Sequence, residues 1–450
     1  MVLNLHKFYQ ATNPSKTLAV ENAEDRNYYI DFSSVRGGRI VEKLRSKIAL
    51  FAPDEPTCQL FTGHIGCGKS TELLRLKADL EQDGFHVVYF ESDQDLEMGD
   101  VDVGDILLAI ARRVSASLDA IALHQPKGFK ALLEGAAKLL QTEIQVTGKV
   151  GVPGFGQIKV DSNGAVSLAL GIGEITAKAK DSPDFRSRLR QYLEPQTNRL
   201  LEVMNQELLE PAIKQLKQQG KKGLVVIVDN LDRVNSSQKP WGRPQPEYLF
   251  ADRGAQLREL HCHVVYTIPL ALRFSNDYAM VTQRFMVDPK VLPMVPVQLR
   301  NGREHQAGMA LLRQMVLARA FPTLAGEQRL PKITEIFDSP ETLDRLCRVS
   351  GGHVRNLLRF LNEWIMEEIR LPLSREGLES IVRSQRNRLV LAITDEEWRL
   401  LRQVAKQKKV TGDWNYQTLI RSLFVHEYYD QEEPWFDINP ILAEAKEFQP

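Results

Sequence analysis

The sequence predicts an α/β protein: a parallel β-sheet layered between helices, then an all-helical region, then a small unit of helices and two strands. Three observations carry this expectation. Short apolar runs alternate with helical stretches through the first 300 residues. One run, 224–229 (LVVIVD), is apolar without a break until its terminal acid, as a strand covered on both faces must be. From residue 303 to 423 the apolar spacing is almost entirely helical.

The elements follow in order. Residues 57–63 (TCQLFTG) form a short apolar run ending on Gly, a buried strand. Residues 70–83 place Leu73, Leu74, Leu76 and Leu80 at helical spacing, and Gly84 stops that helix. Residues 86–92 (HVVYFES) are β-branched and aromatic, a second strand, and 104–118 carry a helical apolar stripe. Residues 142–180 break the pattern: they alternate apolar and polar positions, are rich in Gly, and contain the turn signal Asp161-Ser162-Asn163-Gly164. They read as a β-hairpin-like insertion. Residues 183–219 return to helix, with a break near Pro195. Residues 263–268 (HVVYTI) are the next strand and 294–299 (MVPVQL) the expected fifth. Helices are expected at 304–320, 340–349 and 353–370. At the end, helical stretches at 375–388, 394–407 and 415–423 precede the strands 424–429 and 434–438, an order that suggests a winged-helix-like unit. The expected domains are a core over 1–300, a helical lid over 301–372 and the winged-helix-like unit over 373–450.

Composition bounds the function. The chain has 450 residues, with 58 Lys+Arg against 58 Asp+Glu and a pI near 7.1. Its 43% hydrophobic and 26% charged residues are those of an ordinary globular protein and exclude global disorder. The neutral balance argues against a general nucleic-acid binder, which needs a basic excess. Cys58, Cys67, Cys262 and Cys347 are scattered, with no C-x-x-C pair, so neither a zinc site nor a disulfide framework is expected. No secretory signal and no membrane span are read, and the expected location is cytoplasmic.

Gly63-His64-Ile65-Gly66-Cys67-Gly68-Lys69-Ser70 fits G-x-x-x-x-G-K-[ST], between a strand and a helix as a phosphate loop requires. Glycines allow unusual φ/ψ and bring backbone N–H groups against anionic oxygens. The following helix aims its positive end at the phosphates. Lys69 would reach the β- and γ-phosphates, and Ser70 would give a hydroxyl to Mg²⁺; Thr71 completes the candidate set. Asp229, at the end of a buried strand, is the second candidate for holding Mg²⁺. The next residue is Asn230, where many such enzymes place Glu, so Asp232 is the candidate for orienting water, with helix N-capping or pairing to Arg233 as its alternative.

These residues, in this order, resemble the AAA+ and related STAND-type P-loop ATPases, in the neighbourhood of origin-recognition-like ATPases. The resemblance spans about residues 25–370 plus the winged-helix-like end. It implies that residues 28–38 (YYIDFSSVRGG), with Arg36, pack near the adenine. It implies that Thr267, ending the fourth strand, is a sensor facing the γ-phosphate or water. It places an arginine finger at Arg284, with Arg273 as rival. It also makes Arg355, in Ser350-Gly351-Gly352-His353-Val354-Arg355, a lid residue facing the nucleotide. The cofactors implied are ATP or ADP with Mg²⁺.

The leading expectation is a nucleotide-dependent switch or homo-oligomeric ATPase with a protein partner. A DNA-associated ATPase is the second, disfavoured by charge: residues 391–450 carry four more acidic than basic side chains, including Glu427, Asp430, Glu432, Glu433 and Asp437 in the expected wing. A slow, nucleotide-locked scaffold is the third.

Overall fold

In the computed structural model, residues 4–118, 127–146, 164–412, 414–430 and 433–449 are described. The centre is a five-stranded parallel sheet in the order β2-β3-β4-β1-β5. The strands are β1 (Cys58–Gly63), β2 (His86–Glu91), β3 (Leu224–Asp229), β4 (His263–Thr267) and β5 (Lys290–Leu292). The unbroken apolar run of β3 sits mid-sheet and every one of its residues is buried. Its alternate side chains enter two different cores. Val226 and Val228 pack with Val264, Tyr266 and the helix Val103–Ser117, whereas Val225 and Ile227 meet Leu73, Leu76 and Leu80 of the helix Lys69–Gln82. Parallel strands share one carboxyl edge, and the register Phe61↔Thr267, Val228↔Tyr266 and Glu91↔Asp229 brings the ends of β1, β3 and β4 together there.

Two expectations need correction. The fifth strand is Lys290–Leu292, not 294–299. Pro293 and Pro296 interrupt the expected run and offer no N–H to a ladder. Met294 N–H instead donates to Glu427 O (2.9 Å) and Val295 N–H to Gly352 O (3.3 Å), so this segment stitches the sheet to the two later units. The 142–180 insertion is not a hairpin where it is described: the helices Lys127–Val146 and Gly164–Asp181 cover its two flanks. Ile172, Ile175 and Ala179 are buried at helical spacing, and that packing overrides the glycines and the apparent alternation. Its central part, 147–163 with the 161–163 turn signal, lies outside the described residues.

The break near Pro195 is a single 3₁₀ turn, Glu194–Gln196. Beyond the sheet, the helices Gln306–Ala320, Pro340–Ser350 and Val354–Glu368 share a core around Trp364 and Phe337. The helices Arg375–Val390, Asp395–Gln407 and Trp414–Arg421 precede an antiparallel pair, β6 (Val425–Asp430) and β7 (Glu433–Ile438). Tyr428 and Trp435 of this pair stack at 4.6 Å and belong to the same apolar cluster as Leu73 and Ile227 of the sheet layer. Leu270 and Val291 of the core in turn join the C-terminal cluster. No helix among the described residues is long and apolar enough to cross a membrane.

Candidate nucleotide site

The loop between β1 and the helix Lys69–Gln82 is where the motif placed it. Gly66 and Gly68 take φ of 86° and 107°, left-handed values that L side chains rarely adopt. A Cβ at Gly66 would also lie 2.7 Å from the His353 ring. The helix has no side-chain cap, so its first N–H groups point at the loop's concavity.

Lys69 is buried. Its ammonium donates to Gly63 O (2.8 Å) and His64 O (2.9 Å) and pairs with Asp232 Oδ2 at 2.9 Å. Burial works most strongly against its charge, but Asp232, Cys67 and Asp229 together outweigh that and hold the amine above its ordinary range. Asp229 is fully buried at the end of β3. Its Oδ2 accepts from Tyr89 (2.8 Å), its Oδ1 from Asn230 N–H (2.7 Å), and the Ser70 hydroxyl also bonds to it. Burial first, then the Asp232 charge, raises the Asp229 pKa. The residues chosen for metal, Ser70 and Asp229, are thus in contact, and two carboxylates with one lysine leave room for a further cation. Asn230 has φ 60° and reaches sideways to Asp93 (3.0 Å), which also pairs with Arg233 (2.8 Å). Asp232 therefore pairs with Lys69 rather than Arg233.

Three expected residues sit beside the loop in roles other than those the resemblance implied. Thr267 Oγ1 accepts from Leu231 N–H (2.9 Å) and Asp232 N–H (3.4 Å) and donates to Val228 O (3.3 Å). It is fully buried and holds the turn that carries Asp232, instead of facing the phosphate cleft. Arg36 donates from Nε to Pro293 O (2.7 Å) and from Nη2 to Cys67 O (2.9 Å). Its guanidinium is committed to the loop backbone, not to a base. Arg273 pairs with buried Glu427 at 2.5 Å and is no free finger. Arg284 is exposed in the last turn of the helix Tyr278–Phe285 and lines neither cleft beside the loop. Arg355 does reach the site. It lines the small cleft over Gly66, Gly68, Lys69, Ser70 and Thr71, and its N–H donates to Gly66 O (3.2 Å). Burial, then nearby Arg233, lowers its pKa, as for a guanidinium short of an anion.

Sequence reasoning missed several neighbours. Residues 14–17 line the same cleft opposite Arg355, with no local signal to mark them. The loop is also bonded outward to both later units. His64 Nε2 accepts from Glu427 N–H (2.9 Å), and His353 Nε2 donates to Ile65 O (2.8 Å). The ring of His426 lies 6.0 Å from that of His64 and 6.2 Å from that of His353. Burial keeps all three neutral: the pKa of His64 falls well below 6.5, that of His353 to about 3 and that of His426 to about 4. On the other side of Asp232 lies a cavity of about 440 Å³, closed by Trp414, Gln417, Ile420 and Arg421 of the C-terminal unit. Two acids of the expected wing are internal: Glu427 pairs with Arg273, and Asp437 with Lys408 at 2.6 Å.

No protein-family model matches the chain, and no curated protein matches it. Among solved structures, 90% of the chain is similar to 91% of the Aeropyrum pernix ORC2 protein in its ADPNP–ADP complexes, at 12% identity and a TM-score of 0.37. Likewise 93% is similar to 94% of Cdc6p from Pyrobaculum aerophilum, at 10% identity and 0.35. A third, the A. pernix ORC1 protein in complex with DNA, is matched over 90% of this chain and 92% of that one, at 15% identity and 0.33. With the phosphate loop, the buried acid of β3 and the strand order observed here, the fold is an α/β P-loop fold with helical units.

Proposed function

We propose that the chain is an ATP-binding, Mg²⁺-dependent switch of the AAA+/STAND kind that hydrolyses ATP slowly and couples nucleotide state to the placement of its lid and C-terminal unit. One observation carries this reading: the phosphate loop is bonded directly to both units, through Glu427 to His64, His353 to Ile65 and Arg355 to Gly66. A group that moves the loop acts on those bonds, and a ligand shifts an equilibrium only through such differential contacts.

The chemistry follows from the residues present. Loop N–H groups and the helix end would bind the phosphates. Lys69 would exchange two carbonyls and Asp232 for β- and γ-oxygens. Asp232, released from the lysine but still held by Thr267 through its turn, would orient water. Ser70 and Asp229 would hold Mg²⁺, which supplies charge neutralisation at the β- and γ-phosphates. Arg355 would add a lid cation to the phosphates. Asn230, engaged with Asp93, offers no carboxylate to water, which favours slow turnover. Homo-oligomerisation through Arg284 and a protein partner complete the proposal.

The test is fluorescent-nucleotide binding and Mg²⁺-dependent phosphate release by the full chain and by Lys69→Ala. Lys69→Ala should lose ATP binding while keeping its fold; wild-type affinity in that variant would sink the site assignment.

A further inference from the structure

A groove of about 560 Å³ shares no lining residue with the phosphate cleft; it lies between the helix Ile40–Ser46 with its π-helical continuation Lys47–Phe51 and the chain that leads into outer strand β5. Arg39, Lys43, Lys47 and Phe51 follow one another every four residues and line one wall. Val287, Asp288 and Lys290 line the other. Phe51 is 77% exposed and its neighbour Leu50 72%, while Met286, next to Val287, is 70% exposed. Large apolar side chains exposed together beside a cavity mark interaction sites more often than chance surface.

Charge narrows the occupant. Four cations face two acids; one acid, Glu42, is engaged by Arg75 at 2.8 Å, and one cation, Lys43, has a partner of its own. Arg39, Lys47 and Lys290 form no ion pair among the described residues, so their charge is free to meet an incoming anion. In a protein of zero formal net charge such a local excess is not a property of the surface as a whole. A nucleic-acid backbone would use the cations but would leave Phe51, Leu50 and Met286 against water. A peptide carrying carboxylates on either side of a large apolar residue uses both features. We propose that this groove docks an acidic segment of a partner protein, with carboxylates on Arg39, Lys47 and Lys290, and a bulky apolar side chain against Phe51.

The probe is a short fluorescent peptide of Glu and Asp around a central Trp-Phe pair, titrated into the full chain and followed by anisotropy. The controls are the same peptide with Gly for Trp-Phe, the same peptide with Lys for the acids, and duplex DNA of matched charge. Binding should weaken about tenfold or more in Arg39→Glu/Lys47→Glu/Lys290→Glu, and about threefold or more in Phe51→Ala. None of these residues belongs to the nucleotide site, so unchanged melting and ATP binding certify the fold of each variant. The proposal is overturned if wild type does not bind the peptide at millimolar concentration, if the Gly-substituted peptide binds equally well, if DNA binds more tightly than the peptide, or if the four substitutions leave the affinity unchanged.

Discussion

Replacing Thr267 by Val separates a turn-holding hydroxyl from a phosphate sensor. Val keeps the shape and removes only the hydroxyl. Leu231 N–H then loses its 2.9 Å acceptor in a fully buried turn, which costs about 1–3 kcal/mol. The longer bond from Asp232 N–H, at 3.4 Å, and the donation to Val228 O, at 3.3 Å, add about 0.5–1.5 kcal/mol between them. The expected loss is therefore about 1.5–4.5 kcal/mol, large for a one-atom change. Thermal melting by circular dichroism of wild type, Thr267→Val and Thr267→Ser reads it, and Ser should restore stability. Turnover should fall with the loosened Asp232 while ATP affinity stays near wild type. A Thr267→Val protein that melts like wild type yet loses turnover would refute the turn-holding role and return the hydroxyl to the γ-phosphate.

Tyr89→Phe removes a donor from buried Asp229, so the Mg²⁺ concentration for half-maximal ATPase should rise about tenfold, and the ATP-free protein should lose about 1–3 kcal/mol of stability. Below neutral pH the histidines should destabilise the fold. His353 and His426 have folded pKa values of about 3 and 4, below the unfolded value near 6.5, so the unfolded chain binds more protons. Stability should then fall as pH drops from about 6.5 toward 4, by about 1.4 kcal/mol per pH unit for each histidine. Melting points at pH 7, 6 and 5 check this, and His426→Phe should flatten the slope. Gly352→Ala puts a Cβ 1.6 Å from Val295 O at φ 71°, whereas Gly220→Ala at φ 84° meets nothing within 4 Å. Both bear the backbone strain, so a melting loss at Gly352 greater by about 2 kcal/mol or more measures the contact between lid and core. Finally, ATPase rate per subunit should rise with protein concentration, Arg284→Ala should abolish the rise, and mixing it with Lys69→Ala should restore activity; a concentration-independent rate counts against a finger in trans.

Local chemistry explains what was legible. The run of β3 declares itself because a parallel strand buried on both faces is apolar until its terminal acid, and β1, β2 and β4 show shorter apolar or β-branched runs. Strand β5 does not, being three residues cut off by Pro293. The helix Gly164–Asp181 was hidden because small residues and glycines carry little helical signal, and burial of Ile172 and Ile175 supplies the missing drive. In the site, Lys69, Ser70 and Asp229 could be read because motif residues act close to where they stand in the chain. Arg36 and Thr267 were placed near the loop, but their roles depend on acceptors and donors up to 257 positions away. Tyr89, His353 and His426 had no local mark for the same reason: their bonds and ring contacts exist only once the units meet.

The bonds around the loop also bear on the order in which the protein can be built. Arg36 needs the carbonyl of Pro293, 257 residues on, and His64 needs the N–H of Glu427, 363 residues on. During synthesis the whole phosphate motif leaves the ribosome hundreds of residues before the partners that hold it in shape. Contacts so distant are costly to close and form late. A nascent or truncated chain that stops before β6 carries the complete phosphate motif while its loop still lacks one of its holders. The emergence of β6 therefore sets the moment at which the site becomes complete.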